Sequence, residues 1–253
     1  MRRVNLSVVV PAYNEAHRIR STAETIAAFL KRQCDAWEII VVDDGSCGDT
    51  RAALEGLDGV RCLRNETNRG KGYSVRRGML EARMDVILFT DADLSTPVED
   101  SIALCQAIAE GADIAVGSRV RDPSRTVRRP PLRRLMAFVF RWLVKCLVLR
   151  GFHDTQCGFK AFRRGAALAV FGSARLDRWG FDVEVLHIAQ KLGFKIAQVP
   201  VSYTESRESR LSFFTPLTMI RDLLKIRWSS WCGLYDPQLG RAKEQPDSRG
   251  GVE

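Results

Sequence analysis

The first half of the chain alternates short runs of branched apolar residues with longer stretches whose apolar positions recur every three or four residues. Leu6-Ser7-Val8-Val9-Val10, Glu38-Ile39-Ile40-Val41-Val42, Val60 to Leu63, Asp85 to Thr90 and Ala112 to Val116 have the length and composition of buried strands. Between them, Ser21 with Glu24 forms a capping box for a helix reaching Lys31, with Ile26, Ala27, Phe29 and Leu30 on its apolar face. Ser46 and Asp49 open a second helix, and a third runs from Tyr73 to Ala82. Thr96, Pro97 and Glu99 carry the start signals of a fourth. Ile196 to Val201 reads as a last strand. The alternation predicts an α/β fold with right-handed crossovers, a central mostly parallel sheet and helices on both faces.

Several of these strands end in polar or acidic residues, and open α/β sheets bind ligands in the crevice beyond the carboxyl ends of their strands. Asp91 and Asp93 follow the fourth strand; if its two-residue period continues, both point to one side across Ala92. A hard divalent ion on phosphate oxygens needs such a carboxylate pair, so the spacing suits Mg²⁺ or Mn²⁺. Gly70-Lys71-Gly72 opens the third helix, where backbone N–H groups and helix polarity favour an anion. Neither a Walker loop nor a Gly-x-Gly-x-x-Gly fingerprint is present.

Val9-Val10-Pro11-Ala12-Tyr13-Asn14-Glu15, Val42-Asp43-Asp44-Gly45-Ser46, Asn68-Arg69-Gly70-Lys71-Gly72, Asp91-Ala92-Asp93 and Gly117-Ser118-Arg119 occur in the order found in family 2 glycosyltransferases. Asp91 to Pro97 and Asp154-Thr155-Gln156-Cys157-Gly158-Phe159-Lys160 look most like its dolichyl-phosphate glucosyltransferase and mannosyltransferase branch. The resemblance runs from about residue 6 to about residue 228. It implies a GT-A fold, the nucleotide-diphospho-sugar transferase fold, that binds a nucleotide sugar and inverts the anomeric centre. By the same resemblance, Pro11, Tyr13 and Glu15 lie against the base and ribose, with Asp43 or Asp44 also on the nucleoside. Asp91 and Asp93 hold the metal, and Arg119 neutralises charge near the acceptor phosphate or the donor diphosphate. Asp154 is a further active-site candidate, or a structural ion pair with Lys160. Asp182 and Glu184 occupy the region where members with hydroxyl acceptors carry a base; in this chain they are expected to position. Arg210 replaces the Lys of a Glu-x-x-Gly-Ser-Lys loop and closes over phosphate, or belongs to a solvated charge run. Ser95-Thr96-Pro97 leans toward glucose, hence UDP-glucose over GDP-mannose. Leu224 stands where processive members place the Gln of Gln-x-x-Arg-Trp, which argues against polymer synthesis.

Composition adds a partner class. The net charge of +9 points to an anion: nucleic acid, nucleotide or acidic membrane. Acidic strand ends would repel a phosphate backbone, which argues against nucleic acid. Seven cysteines, odd in number and without a Cys-x-x-Cys pair, argue for reduced cytosolic thiols and against zinc or disulfides. Met1-Arg2-Arg3 resembles a signal n-region, but the apolar run from Val8 to Val10 is too short to follow one.

The second half supplies the acceptor side. Residues 131–150 read as a helix with Arg134, Arg141 and Lys145 on one stripe and apolar residues elsewhere, too short and too charged to span a bilayer. With Arg125, Arg128, Arg129 and Arg133 before it, this helix suits an anionic membrane surface; a core helix with a basic edge is the alternative. The stretch Phe213 to Trp228 is similarly amphipathic and cationic. The organisation expected is a transferase domain over 1–210, an amphipathic helix over 211–235 and a disordered tail over 236–253. Together these readings describe a metal-dependent inverting transferase that moves a hexose from a nucleotide sugar to a polyprenyl phosphate, peripheral on the cytoplasmic membrane face. A sugar hydroxyl acceptor in cell-envelope glycan synthesis is the alternative; a non-catalytic nucleic-acid-binding protein is the more distant one.

Overall fold

The computed structural model describes residues 4–120, 142–144, 147–149, 151–204 and 215–236. Each strand expected from the sequence is present: β1 Leu6–Ala12, β2 Trp37–Asp43, β3 Val60–Arg64, β4 Val86–Phe89, β5 Ile114–Val120 and, after an unforeseen β6 Lys160–Arg163, β7 Ile196–Ser202. The helices are α1 Ala16–Gln33, α2 Thr50–Ala53, α3 Lys71–Glu81, α4 Ser101–Ala109, α5 Arg164–Ser173, α6 Phe181–Lys191 and α7 Thr215–Trp231. Among the described residues the strands form one sheet in the order β3-β2-β1-β4-β6-β5-β7. β6 runs antiparallel to both β4 and β5, and every other pairing is parallel.

Strand alternation splits the core into two layers. Val8 and Val10 bury against Ile19, Ala23 and Ile26 of α1 on one face, which also carries Leu104 and Ile108 of α4. Val9 faces the other way, toward a layer built from Val75 and Met79 of α3, Ala167 and Val170 of α5, Val183 and Leu186 of α6, and Leu223 and Ile226 of α7. With β1 and β2 in register from Leu6↔Trp37 to Ala12↔Asp43, their carboxyl ends finish level, and the loops after them leave the same edge of the sheet.

Three local expectations fail for physical reasons. The first helix begins at Ala16, five residues before Ser21, whose hydroxyl donates to the Arg18 carbonyl within the helix, while Glu24 pairs with Arg20. The fourth helix starts as a 3-10 turn at Val98–Asp100 with no side-chain cap, and its α portion begins at Ser101. β4 stops at Phe89 and its two-residue period does not continue: Asp91 and Asp93 follow the strand, as expected, but on a turn. That turn is closed by Leu94 N–H donating to Asp91 C=O at 3.2 Å, with Leu94 at φ +46°.

Arg125, Arg128, Arg129, Arg133, Arg134, Arg141, Lys145, Arg210 and residues 237–253 lie outside the described residues. Within the expected 131–150 helix, Val144 and Leu149 are buried in the core and Trp142 is exposed, so that segment is in part core. Among the described residues no helix is long and apolar enough to cross a membrane.

Candidate active site

The loops after β1 and β2 are tied to each other. Asn14 takes the left-handed conformation at φ +57°, donates its N–H to Ser46 Oγ at 2.8 Å, and accepts from Cys47 N–H at 3.0 Å. Pro11 is still within β1, Tyr13 is exposed on the loop, and Glu15 receives the first backbone bonds of α1 while pairing with Arg18 at 2.8 Å. The Asp43 carboxylate is buried: Oδ1 accepts from Ser46 N–H and hydroxyl, and Oδ2 lies 3.3 Å from Arg64 Nη1 without hydrogen-bond geometry. Asp44 is a brace. Its carboxylate accepts from Gly70 N–H at 2.7 Å, Arg69 N–H at 3.0 Å and Asn65 Nδ2 at 2.7 Å, which fixes the loop leading into α3.

That brace changes the reading of Gly70-Lys71-Gly72. The Gly70 N–H is committed to Asp44, and what the glycines supply is clearance. A Cβ at Gly70, which sits at φ +108°, would overlap the Asp177 carbonyl, and one at Gly72 would lie 2.6 Å from the Leu176 carbonyl. The start of α3 therefore packs hard against residues 174–180, with Tyr73 N–H donating to Asp177 C=O at 3.0 Å and Arg76 paired with Asp177 at 2.6 Å.

Lys71 is delivered by this packing onto the acidic turn. Its Nζ lies 2.5 Å from Asp91 Oδ1 and 5.6 Å from the ring centre of Trp179. Burial would lower the Lys71 pKa, but attraction to Asp91, Asp182 and Asp93 outweighs it and the ammonium is held above its ordinary value. Asp93 turns one oxygen to Ser95 N–H at 3.0 Å. Gly158 approaches from the other side, where a Cβ would overlap the Asp91 carboxylate. Among the described residues no group of three carboxylate, histidine or cysteine side chains that could hold a metal converges; Asp91 and Asp93 are two carboxylates on one turn. Such a set fits a hard ion that completes its shell with water and substrate phosphate, and the Lys71 ammonium already seated on Asp91 marks the spot as one that favours a cation.

A second charged group lies on β5 and the loop before β6. Arg119, expected after the strand, is within it, and it grips Asp154 in a bidentate pair: Nε to Oδ2 at 2.5 Å and Nη2 to Oδ1 at 2.8 Å. Its guanidinium also lies 5.1 Å from the ring centre of Tyr203. Burial opposes both charges, but the pairing wins: Arg119 is held above its ordinary value and Asp154 below. Lys160 is thus not the partner of Asp154. It is fully buried and pairs with Asp182 at 2.5 Å, capped by the Cys157 carbonyl at 2.6 Å and the Phe89 ring face at 5.2 Å. Burial pushes the nearby Cys157 thiol up to about 11, which keeps it protonated and unreactive. The six described cysteines are all free.

Glu184 is placed away from the acidic turn. It accepts from Arg175 N–H at 3.0 Å, Leu176 N–H at 2.8 Å and the Tyr235 hydroxyl at 2.8 Å, so it anchors residues 174–176. Burial, only partly offset by these bonds, raises its pKa. Thus Lys71, Asp91, Asp182 and Gly158 are brought together, Arg119 and Asp154 form a neighbouring pair, and Glu184 stands behind them as a brace. Trp179 and the burial of Lys160 have no sequence signal: one is a lone tryptophan two residues before α6, the other a lysine in a four-residue strand.

Comparison with known proteins identifies the family and the fold. The chain matches the model of glycosyl transferase family 2 over residues 7–171. It is 40% identical over 241 residues, 88% of this chain and 74% of the relative, to a Mus musculus protein named dolichyl-phosphate beta-glucosyltransferase. A Dictyostelium discoideum protein of the same name is 35% identical over 250 residues, 92% of this chain and 76% of that one. A crystal structure of glucosyl-3-phosphoglycerate synthase from Mycobacterium tuberculosis, in complex with Mn²⁺, UDP-glucose and phosphoglyceric acid, superposes with a TM-score of 0.65 at 22% identity, covering 98% of this chain and 83% of that one. The fold is the GT-A architecture expected from the motifs, and the chain, a glycosyltransferase, belongs to glycosyl transferase family 2.

Proposed function

We propose that the protein transfers glucose from UDP-glucose, with inversion, to a dolichyl or other polyprenyl phosphate at the cytoplasmic face of a membrane. Similarity over most of its length to proteins named dolichyl-phosphate beta-glucosyltransferase supports the substrate pair. The observation that carries the choice of acceptor is the state of Asp182 and Glu184. A sugar hydroxyl needs a base, yet Asp182 is bound to Lys160 and Glu184 is saturated by two backbone N–H groups and a phenol. A phosphomonoester, with a second pKa near ~6, is already anionic at neutral pH and needs none.

In this reading Pro11, Tyr13 and Glu15 lie along the nucleoside, with Asp43 beneath it and Asp44 holding the Gly70 loop in place. Asp91 and Asp93 would hold Mg²⁺ or Mn²⁺, which when bound would supply positive charge to stabilise a leaving diphosphate. Lys71 leaves Asp91 for the diphosphate when the donor enters. Arg119, oriented by Asp154 and Tyr203, presents its guanidinium to the acceptor phosphate and lines its oxygen up with the anomeric carbon. Attack from the face opposite the diphosphate passes through an oxocarbenium-like state and inverts the centre.

The test is a donor and acceptor panel. Purified protein with divalent cation and radiolabelled UDP-glucose or GDP-mannose is offered prenyl phosphate or sugar hydroxyl acceptors, and label is scored in the organic phase. Transfer from UDP-glucose to prenyl phosphate is expected, with Asp182→Asn and Glu184→Gln reduced but active. Exclusive use of a hydroxyl acceptor, with both variants dead, would overturn the reading.

A further inference from the structure

Helix α7 is apolar on two faces. Its inner stripe, Met219, Leu223 and Ile226, is buried in the core, as a surface helix requires. The opposite stripe should then be polar, but Leu224, Trp228 and Trp231, spaced four and three residues apart, are 56%, 65% and 84% exposed. Arg221, Lys225 and Arg227 flank them, and with Arg175 from the neighbouring loop they line a groove of about 620 Å³ beside Trp228 and Trp231. Exposed indoles cost free energy in water, and tryptophan beside cations is the composition that settles at the boundary between headgroups and acyl chains.

We infer that the outer face of α7, centred on Leu224, Trp228 and Trp231, is a docking surface for an anionic lipid bilayer. The inference rests on the proposed lipid acceptor and deepens it by assigning the face that meets the lipid. Charge decides between occupants: a second copy pairing through the same face would set Arg221, Lys225 and Arg227 against their own equivalents, whereas anionic headgroups neutralise them. The helix is also joined to elements that carry candidate site residues. Gln156 Nε2 lies 3.9 Å from Met219 Sδ, and a Cβ at Gly180 would come within 2.7 Å of the Asp222 Cβ, so α7 sits tightly on the loop carrying Asp154 and on the start of α6. From Met219, which lies against Gln156 of the Asp154 loop, to Trp228 the helix rises roughly 14 Å.

The experiment is co-sedimentation of the full chain with phosphatidylcholine vesicles with and without phosphatidylglycerol, alongside Trp228→Ser/Trp231→Ser and Arg221→Gln/Lys225→Gln/Arg227→Gln. In parallel, each protein is assayed for glucose transfer to a short-chain, water-soluble prenyl phosphate. The wild type should bind anionic vesicles in a salt-sensitive way, with partitioning lowered about tenfold or more in the tryptophan variant and on the order of a hundredfold in the charge variant. Transfer to the short acceptor should be unchanged in both. Vesicle binding unaffected by the tryptophan pair, or loss of a dimer in place of loss of vesicle binding, would overturn the assignment even if transfer is intact. Failure of every protein to use any prenyl phosphate would instead overturn the proposed function.

Discussion

Gly158→Ala isolates the role of Asp91 without replacing a charged residue. Gly158 is not among the residues in the left-handed region, so alanine fits its backbone without strain. The added Cβ would stand 2.8 Å from Asp91 Cγ and 3.0 Å from its Oδ1, against an ordinary carbon separation of about 3.5–4 Å. The carboxylate must therefore swing away by roughly 1 Å, and being the free end of a short side chain it can do so at small cost in stability, within about 1 kcal/mol. The swing pulls it off Lys71 and out of line with Asp93. Misplacing a catalytic group by that amount costs on the order of a hundredfold in rate, or about 2.7 kcal/mol of transition-state stabilisation. Initial rates at varied donor and divalent cation, paired with a thermal melt, read both quantities. A variant that melts like the wild type and keeps wild-type kcat/KM would refute the assignment of Asp91 to the reacting diphosphate.

The other predictions concern the braces. Lys160→Met leaves Asp182 buried without its partner and should lower stability by about 3–5 kcal/mol in urea unfolding, with Lys160→Met/Asp182→Leu recovering much of it; a single variant as stable as the wild type would contradict the pairing. Tyr235→Phe removes one of the donors to Glu184 and should cost about 1–3 kcal/mol, read by the same method. Asp154 is held below its ordinary carboxyl value, so its pairing stabilises the fold fully above about pH 4 and loses that effect as pH falls through the depressed value. The stability gap between wild type and Asp154→Asn should accordingly be constant near neutrality and close in acid; a gap independent of pH would contradict the ion pair.

Much of the architecture was legible because β1 and β2 carry the apolar runs Val8-Val9-Val10 and Ile39-Ile40-Val41-Val42, as parallel strands buried on both faces tend to. β6 was not, since Lys160-Ala161-Phe162-Arg163 carries a charge at each end; only the tertiary partners Asp182 and the Cys157 carbonyl make a buried Lys160 tolerable. α5 and α6 were also unread, as was the extension of β5 through Gly117-Ser118-Arg119, which β7 pairs residue for residue. Capping signals misled where a competing partner existed: Ser21 bonds within α1, Ser46 bonds Asp43, and only Asp49 caps, accepting from Ala52 N–H at 2.9 Å.

The motifs located the site better than they assigned its atoms. Asp91 and Lys71 were both named, but their contact depends on residues 174–180 pressing on Gly70 and Gly72, a long-range packing with no local signature. Asp154 was an active-site candidate with Lys160 as the alternative ion-pair partner, whereas Arg119, one strand away, offers the fork geometry a carboxylate prefers. Glu184 lies on α6 two residues after Asp182, yet the two carboxylates go to different partners, Lys160 and the backbone of residues 175–176.

The most direct measurement is transfer of radiolabelled glucose from UDP-glucose to polyprenyl phosphate by the wild type, Asp91→Asn and Asp93→Asn, each with Mn²⁺ or with chelator. The account predicts organic-soluble label from the wild type with metal and near-background label in the other arms. Undiminished transfer by either variant, or by the wild type under chelation, would contradict it.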